Sequence, residues 1–173
     1  MKPSPVPSQT QIAKPGTYMT FKEVVEAMPH LRKAYCAGLQ ALRAEDKPHV
    51  EAENTRKLTG SVDIDKANLK ADPNGNRWDF AIAYQHTNRD AEVIYWVELH
   101  SASDSQVRVV IKKAQWLLNW FKRKGQALAV FEKDIVWVSS GATTFTLSSP
   151  QQKQMAQVGL QHLGSKLSLR NKR

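Results

Sequence analysis

The chain is predicted to fold as a single α/β sandwich: a mixed central β-sheet flanked by helices, with an αβββαβ core and a further C-terminal helix. Three observations predict it. Residues 60–65, 78–84 and 93–100 either alternate or concentrate β-branched and aromatic side chains, as strands do. Residues 103–124 repeat apolar side chains at helical spacing, and a further strand-like run, 135–139, follows that helix. Strands interleaved with a long helix indicate one sheet rather than a helical bundle. At 173 residues the chain is long enough to bury one proper core.

Each element has a local reason. Residues 1–17 hold Pro3, Pro5, Pro7 and Pro15 amid Ser, Gln and Lys, the composition of a disordered leader. Thr20, followed three positions later by Glu23, predicts a capped short helix that ends before Pro29. Leu31, Ala34, Tyr35, Leu39 and Leu42 predict a longer helix over 31–45, with Cys36 inside it, ended by Lys47 and Pro48. Val62 and Ile64 alternate with Asp63 and Asp65 in the 60–65 strand, and an Asp-Pro-Asn-Gly turn marks the polar connection that follows. Ser103 and Gln106 form a capping-box pattern for the 103–124 helix, and Gly125 stands at its C′ position. The stripe of that helix is Val107, Val110, Ile111, Ala114, Leu117, Leu118 and Phe121. Residues 127–131 and 135–139 are predicted strands, with 143–147 a further candidate. Ser149 and Pro150 open a last helix to about Gly164. The expected organisation is thus a leader (1–17), one domain (18–164) and a mobile basic tail (165–173).

Net charge is +9, and its distribution is uneven. Residues 1–58 carry +3, residues 59–104 carry −4, and residues 105–173 carry +10. An acidic centre followed by a basic remainder suits a metal site beside a polyanion-binding surface. The single cysteine, Cys36, excludes an internal disulfide and fits a reducing, cytoplasmic setting. No apolar run approaches the ~20 residues that span a bilayer, and no apolar block follows Lys2 as a secretory signal requires. Zinc spacing, a phosphate-binding glycine loop and a Ser/His/Asp arrangement are all missing from the sequence.

The chemistry centres on Asp79 and Glu98. A hairpin turning about Asn88 and Arg89 sets Tyr84 opposite Val93, and counting outward brings Asp79 opposite Glu98. Cβ atoms of opposed residues lie ~4.5–5.5 Å apart. Two acids so placed repel unless a positive charge sits between them, and a divalent cation, Mg²⁺ or Mn²⁺, is the natural candidate. Asp79 shares its face with Ala81 and Ala83, which leave room for an ion and a phosphate, while Trp78 is expected on the other face with Phe80, Ile82 and Tyr84. Asp63 is a candidate further acid, ranked below this pair together with Asp65.

The order of elements, with Asp79 on the second strand and Glu98, Leu99 and His100 on the third, resembles the PD-(D/E)XK nuclease superfamily and its restriction-endonuclease-like fold. The resemblance covers roughly residues 31–140. It implies that Asp79 and Glu98 hold Mg²⁺ and that a residue two positions after the glutamate helps position the attacking water. That residue is a lysine in the family and His100 here, and Arg77 and Trp78 precede the aspartate instead of proline. A neutral imidazole accepts a proton near pH 7. Alternatively Lys113, which flanks the apolar stripe of the next helix, supplies the missing cation. Lys112 points nearly opposite the stripe; with Lys122, Arg123 and Lys124 it is a candidate contact for a nucleic-acid backbone, although cations in a last helical turn also complement the helix dipole. Trp116 and Trp120, one turn apart, are able to stack on bases, although a second packing surface or a protein partner is the favoured expectation.

The resulting expectation is a metal-dependent hydrolase of DNA or RNA. Its rivals are a degenerate nuclease fold that binds nucleic acid without cutting it, and a protein-interaction subunit.

Overall fold

A computed structural model describes residues 18–143 and 146–171. The predicted leader lies outside the described residues, as does part of the candidate strand at 143–147. The first helix, α1 (Phe21–Ala27), begins where its capping box predicts. The Thr20 hydroxyl accepts the Glu23 backbone N–H at 3.2 Å, and the Glu23 carboxylate accepts that of Thr20 at 2.8 Å. Two of the amides that a helix start leaves unpaired are thereby satisfied.

Residues 31–45 do not form the helix their spacing suggests. They run as successive turns with a short strand, β1 (Tyr35–Cys36), and Cys36 is half-buried on it. Gly38 interrupts the segment at φ +52, in the left-handed region. The apolar residues still go inside, but to different places: Leu31 packs on one face of the central sheet and Leu42 on the other. One helical stripe cannot serve two opposed faces, so tertiary packing overrides the periodicity.

Next come β2 (Val50–Ala52), β3 (Leu58–Asp63) and a short helix, α2 (Ile64–Asn68). The strand expected over 60–65 therefore stops at Asp63, whose carboxylate accepts the Lys66 N–H at 2.8 Å and caps α2. Strands β4 (Phe80–Tyr84) and β5 (Val93–Ala102) form the predicted hairpin, with Tyr84 opposite Val93 and Phe80 opposite Val97. Helix α3 (Asp104–Arg123) follows, and then α4 (Gln126–Ala129), where residues 127–131 read as a strand. The cause is Gly125: any Cβ there would run into the Trp120 ring, and the backbone N–H groups of Lys124 and Gly125 both donate to Trp120 O at 2.8 Å. The chain thus doubles back too tightly to extend.

Strand β6 (Glu132–Thr143) precedes α5 (Ser149–Gln157), which is capped by Ser148 rather than Ser149. This helix ends well before Gly164. Gly159, at φ +67, turns the chain into β7 (Leu160–His162). The predicted tail is also structured, since β8 (Leu167–Leu169) pairs in parallel with β2.

The central sheet is mixed and six-stranded, in the order β1-β3-β4-β5-β6-β7. The pairs from β1 to β5 are antiparallel, whereas β5–β6 and β6–β7 are parallel. Parallel neighbours need a crossover, which α3 with α4 and then α5 supply. All the helices contribute to one apolar cluster, which includes Val25, Ile64, Leu117, Leu128 and Met155 beside Ala81, Ala83, Ile94 and Trp96 of the sheet. The opposite face, with Phe80, Ile82, Tyr95 and Val97, is covered by the β2–β8 pair through Val50, Leu167 and Leu169. Trp78 joins the helix-side cluster, not the face of Phe80, because β4 begins only at Phe80 and the alternation does not reach back to it. No helix among the described residues is long and apolar enough to cross a membrane.

Because Leu169 is fully buried under the second face, Leu169→Ala should destabilise the fold by ~2–5 kcal/mol in urea unfolding; an unchanged midpoint would mean that β8 adds nothing to the core. Tyr95 offers a pH test. Burial, reinforced by the Asp134 and Glu132 carboxylates, pushes its phenol up to about 12. The unfolded chain ionises first, so the stability contributed by this group is intact below pH ~10 and is lost as pH rises toward 12. Tyr95→Phe should remove that component of the alkaline unfolding curve.

Candidate active site

Asp79 precedes β4 by one residue and Glu98 lies on β5, so the hairpin register carries them together. One position outward from the Phe80–Val97 pair, the Asp79 N–H donates to Glu98 Oε2 at 3.3 Å. In return the Leu99 N–H donates to Asp79 Oδ2 at 3.1 Å. Asp79 is also anchored through its own carbonyl, which accepts the N–H groups of Ile64 and Asp65 at 2.9 and 3.3 Å as α2 begins. Glu98 is fully buried, since β5 is central and Trp137 of β6 lies beside it in register.

The charge between them is Lys113. From the middle of α3 its ammonium donates to Asp79 Oδ1 at 3.0 Å and to Glu98 Oε1 in a still closer contact. Lys113 and Asp79 are only 14% and 13% exposed, so the trio is a nearly dry ion cluster. Burial, then the charge of Asp79, raises the Glu98 carboxyl well above the usual range, against the pull of Lys113. Burial alone would lower Lys113, but the Glu98 and Asp79 carboxylates outweigh it and hold the ammonium above its ordinary value.

His100 stands beside this cluster rather than in it. Its Nδ1 is 3.7 Å from Glu98 Oε1, and its Nε2 donates to Gln106 Oε1 at 2.5 Å. Gln106 is therefore spent on the imidazole instead of closing a capping box, and the Ser103 side chain makes no cap bond. Of the two candidates for the motif cation, Lys113 touches both carboxylates and His100 touches neither at hydrogen-bond distance.

Asp63 does not join the pair. Its carboxylate is occupied in capping α2, and burial raises it above its usual range. Asp65, now in α2, pairs with Arg77 Nε at 2.8 Å. Lys112, Lys122, Arg123 and Lys124 are all exposed along or just beyond α3. Trp116 and Trp120 pack against the chain itself: their indole N–H groups donate to Asp72 and Asn68 at 2.8 and 2.9 Å, and Trp120 is buried. Sequence reasoning missed Arg43, whose guanidinium is bound by Asp46 at 2.6 Å and feels the field of Asp79. The misread helix over 31–45 concealed it.

Among the described residues no group of three or more His, Cys, Asp or Glu side chains is arranged to hold a metal ion. Asp79 and Glu98 offer carboxylate oxygens, the ligand type of Mg²⁺, which commonly takes one or two carboxylates and fills its remaining positions with water and phosphate oxygens. No family model matches the chain, and no curated protein or solved structure is significantly similar to it.

The cluster makes a direct prediction. Lys113→Met leaves two facing acids, one fully buried, without their cation, and breaking a buried pair in this way costs ~3–5 kcal/mol. The loss should depend on pH. Glu98 is already raised above the ordinary glutamate value of 4.5, and removal of the ammonium raises it further. A raised carboxyl costs stability as pH climbs above its unfolded value, so the variant should match the parent in acid and fall behind it toward neutrality. Equal stability at neutral pH would show the ion cluster to be energetically idle.

Proposed function

We propose that the protein is a metal-dependent nucleic-acid phosphodiesterase of the PD-(D/E)XK type, in which Asp79 and Glu98 hold a divalent cation, Mg²⁺ or Mn²⁺. The observation that carries this reading is that one ammonium, Lys113, reaches both carboxylates, so the two acids share a cradle of single-cation size. When bound, such a cation would polarise a scissile phosphate and acidify a water.

The chain's own side chains supply the rest. Lys113, displaced from between the acids when a metal occupies the cradle and with its proton retained, would donate hydrogen bonds to the charge developing on the phosphate oxygens, the place where electrostatic catalysis acts. The arrangement also accounts for the departure from the family motif: the cation expected two positions after the glutamate comes from the following helix, and His100 occupies the motif position. With Nε2 committed to Gln106, the Nδ1 lone pair of His100 is oriented toward the Glu98 side and is the candidate acceptor for the water's proton. Lys112, Lys122, Arg123 and Lys124, four of the cations after residue 104, would hold the phosphate backbone.

A second reading is favoured by one observation. Glu98 is fully buried and already neutralised from within, as a purely structural ion pair would be. On that reading the fold binds nucleic acid, or a protein partner, without cutting.

The two readings part in one experiment. Asp79→Ala and Glu98→Gln should each abolish Mg²⁺- or Mn²⁺-dependent cleavage of DNA or RNA while leaving the circular-dichroism spectrum unchanged. Binding should weaken steeply with salt in parent and variants alike. Cleavage that survives both substitutions would sink the assignment, and salt-sensitive binding without any cleavage by the parent would favour the second reading.

A further inference from the structure

The face of α3 that carries Lys113 does not end at the carboxylates. It continues as Trp116, Asn119, Trp120, Arg123 and Lys124, the i, i+3, i+4, i+7, i+8 series of one helical stripe. This stripe runs beside the buried one of Val110, Ala114 and Leu117. Against α2 and the turn after it, the stripe encloses a cavity of about 340 Å³ that Asn68 and Asp72 also line. That volume falls at the lower end of the ~300–1,000 Å³ typical of small-ligand sites.

The cavity wall divides into a fixed part and a free part. Trp116 and Trp120 lie nearly parallel, 18° apart with centroids separated by 6.4 Å. Their indole N–H groups are held by Asp72 and Asn68, so the rings are set in place before any ligand arrives. Trp116 is half-buried and contributes an aromatic surface to the cavity. Asn119, Arg123 and Lys124 are exposed, and among the described residues their side chains have no hydrogen-bond or ion-pair partner. Such a wall combines an immobile aromatic surface, an amide with both donor and acceptor, and two cations. Cations alone would carry nothing here, since the last turn of a helix attracts them for its dipole. Their convergence on a cavity with an aromatic wall is what needs a ligand.

Unpaired nucleotides are recognised by these means: a ring to stack on, a hydrogen-bonding group for the base edge, and cations for the phosphate. We propose that the cavity between α2 and the C-terminal half of α3 is a subsite for one unpaired nucleotide of a nucleic-acid strand, with its base against Trp116, its edge on Asn119 and its phosphate on Arg123 and Lys124. Asn119 lies six positions beyond Lys113, about 9 Å along the helix. A strand crossing the two carboxylates therefore sets a nearby nucleotide in this cavity. That last connection rests on the phosphodiesterase reading; the nucleotide subsite does not.

The test uses the full chain in the presence of a chelator, so that cleavage plays no part. Single-stranded oligothymidylate is titrated in, with tryptophan fluorescence and strand anisotropy as readouts; thymidine monophosphate and a duplex of the same length are compared. The expected result is quenching by the single strand at lower concentration than by either competitor. Arg123→Glu should weaken single-strand binding by roughly tenfold, whereas Lys153→Glu, the same charge change on exposed α5, should weaken it by less than about twofold. Trp116→Phe should still bind with reduced quenching, and Trp116→Leu should lose binding, provided both retain the parent's circular-dichroism spectrum. Absence of quenching, equal losses for Arg123→Glu and Lys153→Glu, or equal affinity for the duplex would overturn the proposal. Equal affinity for the mononucleotide would overturn its assignment to a strand. Restoring Mg²⁺ or Mn²⁺, with oligouridylate run beside oligothymidylate, separates the two readings: quenching without cleavage of either strand removes the phosphodiesterase and keeps the subsite, and cleavage without quenching does the reverse.

Discussion

An ionisable carboxyl with no solvent exposure, on an inner strand of a sheet, is the constraint around which this molecule is arranged. Glu98 sits between Val97 and Leu99 on an inner strand of the sheet, fully buried, with the largely buried Asp79 opposite it. Burial of that kind is tolerated only where a partner of opposite sign is delivered into the same dry space. Lys113 is that partner, fifteen residues along the chain from Glu98. The topology makes the delivery possible. Because β5 and β6 are parallel neighbours, the chain must cross over the sheet between them, and α3 makes the crossing on the face where Glu98 points.

The two faces of the sheet are accordingly different environments. The helix face contains the ion cluster, the tryptophans and the cavity beside α2; the other face is closed by apolar residues under the β2–β8 pair. Its polar groups there are few, notably the contact between His86 and the Tyr95 hydroxyl at 2.8 Å. The proposed chemistry and the proposed nucleotide subsite thus fall along one helix, α3. Its first half supplies the ammonium at the carboxylates, and its second half supplies the aromatic and cationic wall. Gly125 closes that arrangement by letting the chain turn back against Trp120 without a side chain in the way.

Much of the site was legible one residue at a time. The side-chain period of a strand is two, so once the hairpin turn was placed, the juxtaposition of Asp79 and Glu98 followed by counting. The helical wheel likewise put Lys113 at the margin of the apolar stripe and Lys112 away from it, and the structure has one half-buried in the cluster and the other exposed. Errors arose where more than one element could claim the same residues. Asp63 alternates properly as a strand residue, yet its carboxyl caps a helix. Gln106 fits a capping box, yet its amide serves His100, a residue from another element. Local patterns state what a side chain is able to do; they do not rank the offers it receives.

By itself, then, the sequence determined the α/β class, the hairpin register and the facing of the two acids, because each follows from spacing between residues near one another in the chain. Only the tertiary structure decided that residues 31–45 are turns and a short strand divided between two faces, that residues 167–169 form a strand, and that the cation between the acids is an ammonium from α3. Those outcomes depend on which distant surface a segment meets, and burial against that surface outweighs the few tenths of a kcal/mol by which local propensities differ.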